Sequence, residues 1–557
     1  MRRFFYILLT NHLLFSILWA GYAQAPLYDL DEDYTHLLRR YELKGKHWDT
    51  LWHYSQLPAS RQAILNLLQD SSRFTSAADR FNRHYLQKDN WEQSDSLAQL
   101  YERKTEQGFW GQFYRQPAAL YSARVPSFCV VVNPVLDLQV GKDSRLETWT
   151  YQNTRGVRLR GTIDRRLSFF TYLTDTQARY PLYVQEYVDR YRALPHEGYF
   201  KDGDRPSPTT YDFLTARGYV VFRLLPSVEL QFGHDRNFIG YGKRSLILSD
   251  FSAPYTFLKL TTRVWKLQYQ NLFAEMVADV SEADGLRPKK YFAFHRLSTH
   301  LNPRLEVGLF ESVVFGRQGG FELHYLNPII FYRSVEQHVG SPDNAILGGD
   351  FRWMALPRLA LYGQVVIDEL VVSEIRSGKG WWGNKQAVQL GLHYVDVLGI
   401  DNLDLQAEAN MVRPYTYTQD ALTKAYTHYR QPLAHPAGAN FYELLGALRY
   451  QPLPRWRFEG QVFYIVKGED RRGENWGGNI LLDNRTRMQE YGNRLAQGVR
   501  STTTLAELRA SYQPYQNVFL EASYLWRQFS QETGTRSHTS FVSVGLRVNA
   551  ARRRADF

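Results

Sequence analysis

What most constrains this chain is an alternation that keeps returning. Runs of about ten residues place an apolar side chain at every second position, break for a few residues, and begin again. Leu305, Val307, Leu309 and Val313 alternate with Arg304, Glu306, Gly308 and Ser312. Leu403, Leu405, Ala407, Ala409 and Met411 alternate with Asp404, Gln406, Glu408 and Asn410, and Trp456, Phe458, Val462 and Tyr464 with Arg457, Glu459 and Gln461. A period of two belongs to β-strands. A soluble sandwich keeps a charged strand face in water. A transmembrane barrel turns its apolar face to lipid and its charged face to a lumen.

The first residues decide between these two. Arg2 and Arg3 precede an apolar run from Phe4 to Ala20, followed by Gly21-Tyr22-Ala23. This reads as an export signal over residues 1–23, with cleavage after Ala23. No later stretch is apolar enough for a membrane-spanning helix. An exported chain of alternating strands therefore reads as all-β: a closed antiparallel transmembrane barrel in a bacterial outer membrane. A mean hydropathy of −0.44 suits a barrel, in which only every second strand residue meets lipid. The 38 Tyr and 13 Trp suit its interfacial girdles. A lone cysteine, Cys129, excludes an intramolecular disulfide and a cysteine-based zinc cluster. The formal charge of +11 falls to +9 once Arg2 and Arg3 leave with the signal. A basic exported protein suits an acidic surface polysaccharide or lipopolysaccharide, and nucleic acid is no partner in that compartment.

Residues 24–125 read differently. Tyr34, Leu37, Leu38 and Tyr41 form one helical stripe, and Ile64, Leu67 and Leu68 another, after Ser60. Ser76 precedes Asp79 at capping-box spacing, with Ala78, Phe81 and Tyr85 on one face. We expect two to four short helices in a small periplasmic or lumen-plugging region, and a barrel over 126–557. Short proline turns at Pro226, Pro303, Pro357, Pro452–Pro454 and Pro514 alternate with long breaks near 176–214, 233–253, 317–343, 373–385, 414–439 and 467–502. Short turns on one side and long loops on the other is the outer-membrane arrangement, and the count favours about 18 strands. The final Phe557 resembles a barrel-assembly signal, although the Arg552–Arg554 run before it is unusual.

Four segments are richer than a barrel wall requires. Phe232-Gly233-His234-Asp235-Arg236 runs through Gly240 and Gly242 to Arg244 and Ser245-Leu246-Ile247-Leu248-Ser249. Its glycines predict a tight loop packed against other backbone. Leu326-Asn327-Pro328-Ile329-Ile330-Phe331-Tyr332 reads as a short helix or turn folded inward. Asp343-Asn344-Ala345 precedes Asp350, and Asp368-Glu369 ends a strand. We expect Asp343, Asp350, Asp368 and Glu369 to converge with Arg236 and Arg244 in a lumen salt network, with Asp235 and Asn327 as further motif positions.

These segments resemble the Wzi-like capsule-assembly family of outer-membrane barrels. The resemblance lies in Phe-Gly-x-Asp-Arg followed by Ser-Leu-x-Leu-Ser, in Tyr-Leu-Asn-Pro, in Asp-Asn-Ala with a downstream Asp, and in Leu361-Tyr-Gly-Gln through Asp368-Glu369. It covers about residues 125–400 and implies an 18-stranded barrel with a small helical part. It also implies a role in holding capsular polysaccharide at the cell surface, without known catalysis.

Chemistry by side chains is not indicated. His234 and Asp235 are adjacent and would point to opposite strand faces, so they do not form a catalytic pair. His295, His300 and His324 lack zinc-protease spacing, and no metal or cofactor is expected. Tyr183, Tyr187, Trp381 and Trp382 lie in long breaks among charged residues, where flat rings can stack on sugars. The leading reading is a barrel that organises or attaches polysaccharide at the outer surface. A porin or an export accessory barrel is the alternative.

Overall fold

The structure, a computed structural model, describes residues 25–45, 48, 53–103, 109–164, 166–198, 200–201, 209–279, 287–317, 320–329, 331–338, 340, 343–369 and 371–557. The expected export signal lies outside these residues.

The alternating runs form 18 strands that close into one antiparallel barrel. They are β1 (Phe128–Asp143), β2 (Thr150–Ile163), β3 (Leu167–Arg179), β4 (Tyr211–Leu225), β5 (Val228–Asp235), β6 (Tyr255–Val264), β7 (Leu267–Val277), β8 (Lys289–Asn302) and β9 (Leu305–Phe315). The second half comprises β10 (Asn344–Leu356), β11 (Leu359–Glu369), β12 (Lys385–Tyr394), β13 (Leu403–Val412), β14 (Phe441–Leu453), β15 (Trp456–Glu469), β16 (Val499–Tyr515), β17 (Val518–Gln531) and β18 (Arg536–Val548). Each strand pairs with the next in sequence. The seam closes between β18 and β1, from Phe541 opposite Asp143 to Val548 opposite Leu136. Below the seam a short strand, Tyr121–Val125, takes over as partner to the first residues of β1.

The proline-marked turns gather at one end of the barrel and the long connections at the other; we call these the turn end and the loop end. Outward positions are apolar and exposed, as at Leu309, Leu444 and Leu508. Aromatic side chains mark the turn end: Trp265, Trp456 and Tyr515 are exposed, and Trp456 stacks on Phe458. Inward positions such as Asp404, Gln406, Glu408 and Asn410 are buried. The alternation is thus lipid face against lumen face.

Among the described residues, four α-helices precede the barrel: α1 (Glu32–Leu43), α2 (Arg61–Gln69), α3 (Ala77–Asp89) and α4 (Asp95–Tyr101). Side chains of Asp31, Ser60 and Ser94 accept from backbone N–H groups of α1, α2 and α4, and Ser76 with Asp79 forms a reciprocal capping box on α3. Their narrow apolar stripes need a partner. Tyr34, Leu37, Leu38, Ile64, Leu68 and Tyr85 cluster with one another and with Phe238 and Phe519 from the barrel. The helical region is therefore packed against lumen-facing side chains.

One long connection departs from expectation. The described residues of the 316–343 connection fold outside the wall, not inward. Its helix α6 (Tyr332–His338) rests on outward-facing residues of β8 and β9. The cause is a carboxylate on the lipid side. Glu311 Oε2 and Oε1 accept from the N–H groups of Tyr332 and Arg333 at 2.8 and 2.7 Å, and His295 lies 3.2 Å from Glu311 and stacks on Tyr332. A bare carboxylate facing hydrocarbon is costly, and the start of this helix satisfies it. Outside this cover, Ile329 and Phe331 are 83% and 76% exposed.

The lipid-face assignment is testable. Leu444→Arg and Leu508→Arg are each expected to destabilise the vesicle-embedded barrel by roughly 2–4 kcal/mol if they lie near the midplane. Equilibrium unfolding in urea reads this against the matching alanine variants. Arginine costing no more than alanine at both sites would overturn the assignment.

Candidate functional site in the lumen and at the loop end

Charges on the inner wall must be paired once water is displaced. Arg40 of α1 reaches Asp79 at 3.1 Å, Asp396 at 2.6 Å and the carboxylate of Asp404 on β13. Arg61 pairs with Asp89 at 2.7 Å, and Arg160 of β2 with Glu92 at 2.7 Å. Arg217 of β4 pairs with Asp29 at 2.8 Å and with Asp235 at 3.2 Å. Arg352 of β10 meets Glu42, and its guanidinium lies 4.1 Å from the Trp48 ring. Apart from Arg217–Asp235, which joins β4 to β5, each of these contacts ties a helical-region residue to the wall or to another element beside it.

The glycine-rich connection after β5 crosses the lumen. Gly240 N donates to Ser55 O at 2.7 Å, and Arg39 donates to the carbonyls of Gly240 and Gly242. Gly240 has a φ of +135°, and a Cβ there would stand 2.4 Å from the Gln364 amide; one at Gly242 would stand 2.3 Å from Glu408. The positive φ at Gly240, and the backbone carbonyl of Arg244 that would stand 2.5 Å from a Cβ at Gly242, require glycine at both positions. Beyond them Leu246, Ile247 and Leu248 are fully buried, and Tyr417 and Tyr426 hydroxyls donate to the carbonyls of Leu246 and Ile247.

Residues 549–557 also enter the lumen. Arg552 pairs with Asp33 at 3.0 Å and with Glu521 at 2.7 Å, Arg553 with Glu197 at 2.9 Å, and Arg554 with Asp250 at 2.6 Å. Asp556 meets Arg244 at 3.1 Å. Phe557 ends among Tyr187, Phe251 and Tyr183, with ring centroids 4.6, 5.8 and 6.0 Å away. Phe557 thus stands apart from β18, in the lumen. Between this segment and the wall lies a cavity of about 150 Å³ lined by Glu507, Arg509, Glu521 and Arg552 among others.

The positions singled out in the sequence divide. Asp235, Arg236 and Arg244 lie in the lumen, where Arg236 donates to Asp250 O at 3.2 Å and Arg244 holds Glu443 and Asp556. Asp350 pairs separately with Arg296. Asp368 accepts from Tyr417 N at 2.6 Å, and Glu369 meets Lys385 at 3.2 Å near the loop end. Asn327 and Asp343 belong to the outer connection, where Asn327 accepts from Ile329 N and Asp343 holds Arg317 at 2.7 Å. The single network expected of these groups does not form, because strand register sends them to different levels and one connection to the other side of the wall. His234 points outward and Asp235 inward.

The aromatic candidates also divide. Helix α5 (Leu182–Tyr191) turns Tyr183 and Tyr187 inward. Tyr183 is buried and donates to Ala555 O at 2.7 Å. The 549–557 segment occupies their faces, so these two rings are not open platforms. Trp381 and Trp382 are half-buried at the loop end. Trp382 carries Arg487 4.2 Å from its ring and Lys385 4.9 Å away, and its backbone N–H donates to Glu490 O. The sequence hid the lumen role of the arginines at 552–554, although their excess at the end of a barrel was the visible sign.

These features define a class: an outer-membrane-type β-barrel whose lumen is occupied by its own chain. A sequence model of the capsule assembly protein Wzi matches residues 67–541, and the chain belongs to that family. Among solved structures it is similar to Wzi of Escherichia coli, described as an outer-membrane protein involved in group 1 capsule assembly and a carbohydrate-binding β-barrel. The two share 15% identity with a TM-score of 0.58, over 95% of this chain and 100% of the other. Similarity to OprD of Pseudomonas aeruginosa (11% identity, 75% and 94% of the chains, TM-score 0.40) and OccAB2 of Acinetobacter baumannii (9%, 75% and 97%, 0.42) is weaker. No curated protein matches the sequence significantly.

Two outcomes follow for the lumen charges. Arg244→Ala removes the guanidinium that Glu443 and Asp556 share in the buried lumen and is expected to cost about 3–5 kcal/mol. Arg115→Ala breaks only an exposed pair with Glu102 and should leave the unfolding midpoint in place. Burial opposes ionisation of Asp29, Asp33 and Asp556, but neighbouring arginines prevail and hold all three carboxyls below the usual range, Asp29 down to about 2. A depressed carboxyl stabilises the fold above its unfolded pKa and loses that contribution as pH falls. The midpoint should therefore hold from about pH 5 to 8 and drop between about pH 4 and 2. A midpoint unchanged at pH 3 would show that these pairs carry no net stability.

Proposed function

We propose that this barrel holds an acidic polysaccharide at the bacterial surface through its loop end, and that it is neither a conducting porin nor an enzyme. The observation that carries the reading is the filled lumen. Helices α1–α3, the 236–254 connection and residues 549–557 occupy it by paired charges, which leaves the loop end to meet a polymer. In this reading residues 1–23 direct export, residues 24–125 form the plug, the turn end faces the periplasm, and the outward band contacts outer-membrane lipid and lipopolysaccharide. The carbohydrate binding described for the Escherichia coli relative supports the ligand class.

The contact face combines Trp381 and Trp382 with exposed Lys379, Arg471, Arg472 and Arg494 on the neighbouring connections. The 370–384 connection is latched to 487–493 through Gly380, Trp382 and Asn493. The cations attract an anionic polymer, and the indole faces stack on sugar rings in a way that salt does not screen. Tyr183 and Tyr187 would act indirectly, by holding α5 against the 549–557 segment.

Planar-bilayer recording should show low conductance for the whole protein and higher conductance after removal of residues 26–120. Equal conductance would place the helices outside the permeation path. In cells, Trp381→Ala with Trp382→Ala should release polymer while heat-modifiable migration of the folded barrel persists. Binding of purified acidic polymer should weaken as salt rises. Normal retention in a folded double variant removes the two tryptophans from the site, and salt-indifferent binding removes the cations.

A further inference from the structure

At the turn end of the lumen, three ligand-bearing side chains converge. His300 and Glu306 are direct cross-strand partners on β8 and β9, and both point inward. His53 comes down on them from the segment between α1 and α2. The three residues are buried, and one ligand atom from each lies within 4.8 Å of the other two. His53 Nδ1 is 3.0 Å from Glu306 Oε1, and His300 Nε2 is 3.9 Å from Glu306 Oε2. The two imidazole rings have centroids 4.5 Å apart.

The geometry points to a divalent transition-metal site, with zinc as the fitting ion, formed by His53, His300 and Glu306 and joining the helical region to the barrel wall. Donor atoms around a tetrahedral zinc stand roughly 3.3–3.5 Å apart, given bonds near 2.0–2.2 Å, and the two separations of 3.0 and 3.9 Å, each to a different oxygen of Glu306, lie on either side of that value. Two imidazoles and one carboxylate are borderline ligands suited to zinc and leave a fourth position for water.

The carboxylate is already oriented. Ser55 Oγ donates to Glu306 Oε1 at 3.0 Å, and the Tyr241 hydroxyl donates to Oε2. Ser298 Oγ lies 3.0 Å from His53 Nδ1 and donates to Gln268 O. Such outer contacts fix ligand orientation in metal sites. The competing cation is committed elsewhere: Arg296 donates to both oxygens of Asp350 at 2.8 and 2.7 Å and stands 3.7 Å from Glu306. His53 also lines a cavity of about 40 Å³ with Gln268, Gln270 and Lys259, room enough for a water molecule beside the group. Because His53 lies outside the wall's own strands, the ion would be a clasp between two parts of the molecule.

The test uses untagged full-length protein in detergent, equilibrated with zinc and washed. About one equivalent should be retained by elemental analysis, and it should raise the unfolding temperature where magnesium does not. His53→Ala and Glu306→Gln should each weaken zinc binding at least tenfold, with heat-modifiable migration reporting that the barrel has folded. If either variant fails to fold, X-ray absorption on zinc-loaded wild type decides, and two imidazole nitrogens in the first coordination shell are expected. Retention far below one equivalent, a spectrum without imidazole, or folded variants that bind like wild type would overturn the site.

Discussion

A charged inner wall can be closed only if every charge that loses water gains a partner, and this constraint organises the molecule. An unpaired buried ion costs several kcal/mol, more than most single contacts in a fold return. Arg40 is the clearest case. One guanidinium from α1 answers Asp79 of its own region, Asp396 of a turn and Asp404 of β13. Arg552 does the same from the other end of the sequence, bridging Asp33 to Glu521. The wall carries the charges, and the helices and the 549–557 segment carry their complements, so neither part is complete without the other.

The same constraint acts on the outside with the sign of the solvent reversed. Glu311 faces lipid, where water cannot reach it, and the start of α6 supplies its hydrogen bonds. A single carboxylate on the wrong face thus draws a long connection down over β8 and β9. Inside and outside, irregular backbone is found where it satisfies a polar group that the barrel wall exposes to the wrong medium.

The barrel was legible in the sequence because its cause is local. Residues two apart share a face, so lipid and lumen print their pattern on every strand, and proline marks where the ladder stops. The capping box of Ser76 and Asp79 was equally local. Pairing across the lumen was not legible, since Arg40 and Asp404 are 364 residues apart and meet only through the barrel's register. The expected convergence of Arg236 and Arg244 with Asp343, Asp350, Asp368 and Glu369 failed for that reason. The outer connection had one readable sign, Glu311 at an apolar position between Leu309 and Val313, and the tyrosines of α5 had none, because the segment that covers them lies more than three hundred residues downstream.

The 549–557 segment has a consequence for the order in which this molecule can be made. Nine extended residues span about 30 Å, enough to cover most of the height of the wall. They begin at the turn end, directly after β18, which is itself one edge of the seam with β1. The element that shuts the cylinder is thus continuous with the element that fills it. Zipping the seam and threading the interior are steps on one stretch of chain, so a barrel that has closed correctly already holds the first residues of its own stopper at the mouth.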